Sequence, residues 1–286
     1  MQYIIMDLEW NNVYSRKKGG FFNEIIEVGA VKIDDDLSEI DSFSEFINTA
    51  LGNRLQRKVR ELTNISNEDI NNGFGFNQVM SSFRKWIGNK PRIIMSCGTS
   101  DLYVLIENFS YFSGTSSIPF MHYYVDLQDY CASILKYPRD KQLGLAHASE
   151  LLNLDIDDIE LHRGLNDSIV AYECFKKTYD IRFEKFVSSC DNEFYEKLKF
   201  KPYVIKNINS SRVDRSKFTT YCPDCGNKLK RTSKWSYKNA FFRGKYYCEN
   251  CEKTFKVSLR FKQYYDYVDF KKKIEEFVDK PQEDEE

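Results

Sequence analysis

The stretch YIIMDLEWNN at residues 3–12 combines an apolar run with two closely spaced acids, Asp7 and Glu9. The apolar run is typical of a buried β-strand, and side chains alternate along a strand, so both carboxylates point to the same side of the sheet. Two carboxylates a few ångströms apart repel each other unless a cation lies between them. Hard divalent cations such as Mg²⁺ prefer oxygen ligands. The pair indicates either a metal site or a polar strand end whose acids are solvated or paired with Lys or Arg.

Strand patterns and helix patterns then follow one another along the chain. Residues 24–34 and 39–48 predict two further strands in an antiparallel meander with the first. Apolar residues at helical spacing predict helices at 76–88, 100–109, 143–154 and 164–180. A further strand is predicted at 91–98, and a strand followed by a helix at 121–135. This order predicts a mixed α/β sheet covered by helices.

Two further acids and a histidine occupy strand ends or helix starts. Asp101 begins a predicted helix, where the helix dipole alone also explains an acid. In LHRGLNDSIVAY (161–172), His162 precedes a helix that carries Asp167, and such a pair alone is also compatible with a surface or capping feature. Because α/β sheets bind ligands at the carboxyl edge of their strands, we expect these groups to meet Asp7 and Glu9 there. Four acids at one edge would require bound cations.

Three segments resemble, in order and spacing, the motifs of the DEDDh 3′–5′ exonucleases. They are MDLEW (6–10), IIMSCGTSDLYVL (93–105) and HRGLNDSIVAY (162–172). EIIEVGAV (24–31) is similar to the second strand of that family. The resemblance covers roughly residues 1–180 and is nearest to the subgroup of the histone-mRNA exonuclease and the bacterial sporulation-inhibitor-like proteins. One departure is Gly164, where many members have Ala.

The resemblance implies an RNase H-like fold with a five-stranded mixed sheet flanked by helices. It implies that the four acids hold two Mg²⁺ or Mn²⁺ ions and that the histidine is the general base, the set being Asp7, Glu9, Asp101, Asp167 and His162. It also places the backbone around Leu8 near the terminal nucleotide. Two ions about 4 Å apart would activate a water and stabilise the leaving oxygen of a phosphodiester, and histidine accepts protons near neutral pH.

Four of the eight cysteines form the pattern C-x₂-C, 22 residues, C-x₂-C. They are Cys222, Cys225, Cys248 and Cys251. Two such pairs are typical of a structural Zn²⁺ site, and the segment resembles a zinc ribbon; the alternative is four unrelated thiols. A closed Cys₄ site folds a module rather than catalysing a reaction.

Basic and aromatic residues alternate between the two cysteine pairs. Lys234, Trp235, Lys238 and Arg243 are our candidates for nucleic-acid binding, because cations bind phosphates and aromatic faces stack on unpaired bases. The alternative is that the aromatic residues fill a small core while the lysines solubilise it.

The charges are unevenly distributed over the chain. It carries 42 basic and 43 acidic residues, yet residues 1–200 have a net charge of −8, residues 201–262 of +12 and residues 263–286 of −5. A basic block behind an acidic domain favours a polyanion such as nucleic acid as the partner, the alternative being a lysine-rich soluble surface.

No segment approaches the roughly 20 apolar residues of a transmembrane helix, and residues 1–10 lack the basic region of a signal peptide. We therefore expect a cytoplasmic protein with no membrane partner. In a reducing compartment its cysteines are not expected to form a disulfide framework.

Together these features predict four segments. They are an exonuclease domain, a helical and charged linker, a zinc ribbon and a charged tail whose last residues are disordered, at 1–180, 181–215, 216–262 and 263–286. We expect a two-metal 3′–5′ exonuclease on single-stranded nucleic acid, with RNA favoured over DNA and the ribbon tethering the substrate; the oligomeric state stays open. The alternatives are a DNA-trimming or proofreading-like exonuclease and a non-catalytic adaptor that uses the ribbon to bind nucleic acid or protein.

Overall fold

The computed structural model describes residues 1–52, 54–138, 140–156 and 158–277. The chain divides into two compact units, Met1–Leu198 and Lys199–Glu286. The acidic end at 279–286, which we predicted to be disordered, lies outside the described residues. Within the described part, no helix combines the length and the apolar character that crossing a membrane requires.

A six-stranded mixed sheet forms the centre of the first unit. Its strands are β1 (Gln2–Ser15), β2 (Gly20–Ile33), β3 (Glu39–Phe46), β4 (Arg92–Ser96), β5 (Tyr123–Asp126) and β6 (Ser188–Ser189). The order is β3-β2-β1-β4-β5-β6. β1 pairs antiparallel with β2 and parallel with β4, which is in turn parallel to β5. The predicted mixed α/β architecture is confirmed, and the strand beyond the expected five is the two-residue β6 at the edge.

Eight helices of the described residues flank this sheet. They are α1 (Arg57–Thr63), α2 (Asn67–Asn72), α3 (Phe76–Ile87), α4 (Ser100–Asn108), α5 (Leu127–Ile134), α6 (Leu145–Leu151), α7 (Gly164–Thr178) and α8 (Asn192–Lys199). β1 is buried on both faces, with Ile4, Met6 and Leu8 in one apolar core and Tyr3 and Ile5 in the other. Helices α3 and α4 contribute to the first core and α7 to the second. Asp7 and Glu9 continue the row of Tyr3 and Ile5, so they point to the face that α7 covers.

The first unit extends beyond residue 180, where we placed the end of the exonuclease domain. The buried Tyr195 of α8 belongs to the core that Ile4 and Met6 share. Its hydroxyl accepts a hydrogen bond from the Ile118 backbone N–H at 3.1 Å. The charged residues of this segment conceal its few apolar residues, which are Tyr195 with Phe194 and Leu198 beside it. Composition alone therefore indicated a linker.

A second antiparallel sheet organises the other unit. Its strands are β7 (Tyr203–Val204), β8 (Lys230–Arg231), β9 (Ser236–Lys238), β10 (Phe241–Cys248), β11 (Lys253–Gln263) and β12 (Val268–Glu276). The main order is β12-β11-β10-β8, with β9 on β10 and β7 on β11. β12 lies inside the predicted charged tail. It pairs along its whole length with β11 and packs Val268, Phe270 and Ile274 against the core.

Candidate active site

A cleft of about 400 Å³ opens beyond the carboxyl end of β4 and beside the middle of β1. Its lining includes all five predicted catalytic residues, namely Asp7, Glu9, Asp101, His162 and Asp167. Glu9, His162 and Asp167 each offer one possible metal-ligand atom, and these atoms lie within 4.8 Å of one another. Asp101 is buried in the same cleft, whereas Asp7 is half-buried, as Glu9 and Asp167 are. The fold therefore gathers residues that lie on three separate segments of the sequence.

Asp101 is fixed by its place at the start of α4, directly after β4. Its side chain is 4% exposed. Its Oδ1 accepts a hydrogen bond from the Leu8 backbone N–H at 3.1 Å. Asp126 holds the turn before α4, because its Oδ1 accepts a hydrogen bond from the Gly98 backbone N–H at 3.1 Å. The same side chain caps the start of α5. These bonds hold β1, β4 and β5 in fixed relative positions at the cleft.

His162 and Asp167 are placed by the entry into α7. His162 has φ = 65°, in the left-handed region that few residues other than glycine adopt. Its backbone N–H donates to Asp167 Oδ1 at 3.2 Å. The imidazole is exposed at the mouth of the cleft, where a solvent-derived nucleophile has access.

Glu27 anchors this loop and was not among the predicted residues. It lies opposite Glu9 in the β1–β2 register and is 1% exposed. Its two carboxylate oxygens accept bonds from Arg163 at 3.0 and 3.3 Å, and one also accepts the Gly164 N–H at 3.0 Å. An acid inside the apolar run EIIEVGAV was the available signal, because a buried carboxylate requires a partner.

Two glycines allow α7 to approach the sheet closely. A Cβ on Gly29 would lie 1.9 Å from the carbonyl carbon of Gly164. A Cβ on Gly164 would lie 2.8 Å from the Gly29 nitrogen and 3.2 Å from the Asp7 carbonyl oxygen. The contact is therefore backbone on backbone, and it accounts for glycine at position 164 in this chain.

Burial and mutual repulsion raise the pKa values of the four acids. Burial is the main cause at each. It raises the pKa of Glu9 to about 8, with further contributions from Asp167 and Glu27. It raises the pKa of Asp101 to about 7, against the opposing hydrogen bond from Leu8. The pKa values of Asp7 and Asp167 are raised for the same reason. Without added cations, the cleft therefore resists full ionisation of its carboxyl groups.

One wall of the cleft is apolar. It is formed by Trp10 of β1 and by Val59 and Leu62 of α1. Leu62 is 54% exposed, so its side chain is available to a ligand. No local pattern predicted this wall, since the packing of α1, rather than its own sequence, brings it to the acids.

The four cysteines of the second unit also converge. Their sulfurs lie within 4.8 Å of one another. The Cys222–Cys251 and Cys225–Cys248 sulfur distances are 3.9 and 3.5 Å. Sulfurs placed tetrahedrally around Zn²⁺ with Zn–S bonds of about 2.3 Å would be about 3.8 Å apart, so this donor set fits the ion.

The predicted nucleic-acid-binding residues are spread over several places. Leu8 lines the cleft, with a buried side chain and an N–H that Asp101 already uses. Lys234 is exposed in the segment before β9. Trp235 packs against Phe218 and Tyr246 on the core side of the second sheet. Lys238 and Arg243 lie on its other side, by the strand register. The structure thus does not bring these residues together on one surface.

Comparisons with known proteins agree with this geometry. Residues 4–175 match the RNase_T family model, whose description is Exonuclease. The PolC-type DNA polymerase III of Clostridium perfringens (strain 13 / Type A) is 25% identical over 178 residues, which is 62% of this chain and 11% of that protein. The chain thus spans about a tenth of the length of this curated relative.

Two solved structures share the fold. One is the nuclease domain of a DEDDh family member bound to rAMP, with a TM-score of 0.54, 19% identity and coverage of 66% of this chain and 97% of that one. The other shows recognition of a histone mRNA stem-loop by a 3′-exonuclease, with a TM-score of 0.54, 18% identity and coverage of 67% and 91%. The predicted exonuclease family and its RNase H-like fold are confirmed. Because the family model matches more than half of the 286 residues, this chain belongs to the exonuclease (RNase_T) family.

Proposed function

We propose that this chain is a metal-dependent 3′–5′ exonuclease of the DEDDh type. The observation that carries the proposal is the cleft in which four acids and one histidine converge. The histidine at position 162, with an acid five residues later at the start of α7, is the arrangement from which that type takes its last two letters. The subgroup of the histone-mRNA exonuclease and sporulation-inhibitor-like proteins remains our inference from the motifs.

The acids fit divalent cations because of their chemistry and burial. Their pKa values are raised by burial and by one another, so the ionised form of the cluster is unfavourable until a cation neutralises it. Arg163 opposes this at Glu9, but Glu27 already binds its guanidinium. Carboxylate oxygens select hard ions, so Asp7, Glu9, Asp101 and Asp167 would hold two Mg²⁺ or Mn²⁺. Such ions, when bound, polarise phosphoryl oxygens and acidify water.

His162 is the residue that we assign to proton transfer. It is exposed at the mouth of the cleft, and its backbone is fixed by Asp167 and by the Glu27–Arg163 pair beside it. A histidine in this position accepts the proton of an attacking water near neutral pH. The apolar wall of Trp10, Val59 and Leu62 would contact the base of the terminal nucleotide.

We favour single-stranded RNA as the substrate. Support comes from the two structural neighbours, whose proteins were determined with rAMP and with a histone mRNA stem-loop. The DNA-trimming alternative is supported by the DNA polymerase relative, in which the matching region is 11% of the protein. We further propose that Cys222, Cys225, Cys248 and Cys251 bind one structural Zn²⁺ in a ribbon-like module.

The test is digestion of matched single-stranded RNA and DNA labelled at the 5′ end, with Mg²⁺ or Mn²⁺. We expect a ladder of products that shorten from the 3′ end, with RNA degraded faster. Glu9→Gln should lower the rate at least about a hundredfold, because it removes a charge that holds the ions. The matched control is Glu39→Gln, the same change at an exposed residue of the edge strand β3.

Each alternative has its own outcome in this assay. Faster digestion of DNA would favour the trimming function. Binding of both strands without any shortening would favour the adaptor. Internal cuts that leave the 3′ end intact would contradict the proposed exonuclease.

A further inference from the structure

The sheet of the second unit has one apolar and one basic face. In β11, Phe255, Val257, Leu259 and Phe261 are buried, so the intervening residues point to the opposite face. Residues that are paired across antiparallel strands lie on the same face. The register therefore identifies the members of this second face on every neighbouring strand.

We call this second surface the outer face. Its basic residues come from five strands, and they are Lys230, Lys238, Arg243, Lys245, Lys256, Arg260, Lys262, Lys271 and Lys273. Within the described strands, the same face carries two acids, Asp269 and Glu275. Basic residues lie directly opposite each other in two pairs, Lys245 with Lys256 and Arg260 with Lys271. Like charges opposite each other in a sheet destabilise it, so this placement has a cost that a ligand would offset.

The local contacts leave much of this positive charge available. Lys256 pairs with Glu275 at 3.6 Å and Lys230 with Glu249 at 3.7 Å, and these lysines and acids are substantially exposed. Exposed pairs of this kind are weak and exchange readily with other anions. Arg260 and Lys273 instead approach the ring of Phe241, at 5.5 and 5.7 Å from its centroid. Two cations therefore share one aromatic side chain near the middle of the face.

We propose that the outer face binds the phosphate backbone of a nucleic-acid strand. Charge complementarity indicates which ligand binds there. A positive surface that extends over several strands fits a polyanion with charges all along its chain, such as a phosphate backbone. Neighbouring strands lie about 4.8 Å apart, and successive residues on one face of a strand lie about 6.8 Å apart. A flexible chain can therefore contact several of these cations at once. The inference that this strand is the substrate of the first unit rests on the proposed exonuclease function.

This surface differs from the platform that we predicted from sequence. Lys238 and Arg243 belong to it, whereas Trp235 lies on the core side, where its ring would be 3.3 Å from a Cβ on Gly244. A separate cleft on the core side also has basic residues, Arg215 and Lys228 among them, beside Trp235. Comparing the two sides therefore tests the outer face directly.

The experiment uses the full chain and a fluorescent 20-nucleotide oligo(U), in a Glu9→Gln background so that the probe stays intact. The outer-face variant is Arg260→Gln, Lys271→Gln and Lys273→Gln. The matched control also removes one arginine and two lysines, by Arg215→Gln and Lys228→Gln in the core-side cleft and by Lys217→Gln next to Phe218 of that cleft. A second outer-face variant, Lys238→Gln, Lys245→Gln and Lys262→Gln, replaces the first if that one loses its zinc or its folded circular-dichroism spectrum.

We expect the outer-face variant to bind at least about tenfold more weakly at 0.1 M salt. Its slope of log affinity against log salt should fall by about 2, at roughly 0.7 for each lost contact with a single strand. The control should change affinity less than about twofold. Equal weakening of both variants, wild-type affinity in the outer-face variant, or equally tight binding of poly-glutamate would each overturn the proposal.

A second readout separates this surface from the catalytic proposal. In the wild-type background, the outer-face variant should hydrolyse the p-nitrophenyl ester of thymidine 5′-monophosphate as fast as the unaltered protein, since every described residue that lines the cleft belongs to the first unit. Hydrolysis by neither protein, together with weakened oligo(U) binding, would contradict the exonuclease function and support the outer face. Wild-type ester hydrolysis together with unchanged oligo(U) binding would support the exonuclease function and contradict the outer face.

Discussion

His162 shows how the cleft depends on backbone conformation at one residue. Its φ of 65° is unfavourable for a residue with a β-carbon, by roughly 1–2 kcal/mol. The hydrogen bond to Asp167 and the buried Glu27 that binds the adjacent Arg163 stabilise that conformation. The ring is thus positioned by the chain on either side of it rather than by packing, because it is itself exposed.

Replacing His162 with Asn tests its role as the base. Asn tolerates the left-handed conformation, so the fold should be retained. We expect kcat on RNA to fall by about 10²–10⁴, the usual contribution of a positioned base, with little change in KM. His147→Asn is the control, because His147 is exposed on α6 and bonds only locally to Glu150. A His162→Asn protein with kcat within about twofold of wild type would rule out that role.

The main candidates in the cleft were predicted from local patterns together with the resemblance to the DEDDh motifs. Asp7 and Glu9 share a strand face by alternation alone, and Asp101 and Asp167 occupy helix starts that short motifs indicate. Glu27 was not predicted, because its position opposite Glu9 depends on pairing between strands, with a register shift immediately afterwards. Leu62 was missed for a similar reason, since its place in the wall depends on where α1 packs.

At the scale of elements, the approach of α7 to β2 sets the position of two predicted catalytic residues. Gly29 and Gly164 meet without side chains between them, and α7 carries Asp167 one turn further on. Neither partner of this contact is a flexible side chain that could move aside. The geometry of the cleft therefore depends on a pair of glycines outside the catalytic set.

Gly29→Ala should displace the start of α7. The added methyl group would lie 1.9 Å from backbone atoms, so the helix must shift. We expect kcat/KM to fall at least about a hundredfold, the effect of a displacement of about 1 Å, and the protein to be about 1–3 kcal/mol less stable. Gly144→Ala is the control, because it has a negative φ and no atom within 4 Å of the added carbon. Wild-type activity of the Gly29→Ala protein in steady-state kinetics would contradict this.

Two elements, β12 and α8, were not predicted because they lie in segments rich in charged residues. β12 alternates core residues such as Phe270 and Ile274 with lysines and acids, and net composition conceals this period of two. In α8, the buried Tyr195 is likewise surrounded by charged residues, so the segment was predicted as a linker. In both segments a few apolar residues at regular spacing were enough to form structure.

For the whole molecule, the raised pKa values predict how stability depends on pH. A carboxyl group whose folded pKa lies above its unfolded pKa stabilises the fold at low pH, and this contribution is lost as pH rises through the folded value. For Glu9 the stabilisation is lost as the pH rises from about 4.5, the ordinary pKa of this side chain, to about 8, its pKa in the folded protein. By calorimetry without Mg²⁺ or Mn²⁺, the first unit should therefore unfold at a higher temperature at pH 5 than at pH 8.5.

Added Mn²⁺ should remove most of that difference, because it stabilises the ionised acids. Glu9→Gln should reduce both the pH effect and the Mn²⁺ effect, while Glu39→Gln should leave them unchanged. An equal or higher unfolding temperature at pH 8.5 without metal would contradict the assigned pKa directions.

We expect the folding of the second unit to depend on the zinc that we propose for its four cysteines. Cys248 is fully buried among the four converging cysteines, so Cys248→Ser should abolish zinc binding, measured by atomic absorption, and unfold the small core around Phe242 and Val257. Hydrolysis of the small nitrophenyl ester should persist within about twofold. Cys190→Ser, outside the cluster, is the control. Full zinc content in the Cys248→Ser protein would exclude the Cys₄ site.

Direct titration of Mn²⁺, with free ion measured by electron paramagnetic resonance, tests most directly whether the buried acids form a metal site. We predict two bound ions per chain for the wild-type protein and for Glu39→Gln, and one or none for Glu9→Gln. Wild-type Mn²⁺ binding by Glu9→Gln, or digestion of RNA by a wild-type protein that binds no Mn²⁺ or Mg²⁺, would contradict it.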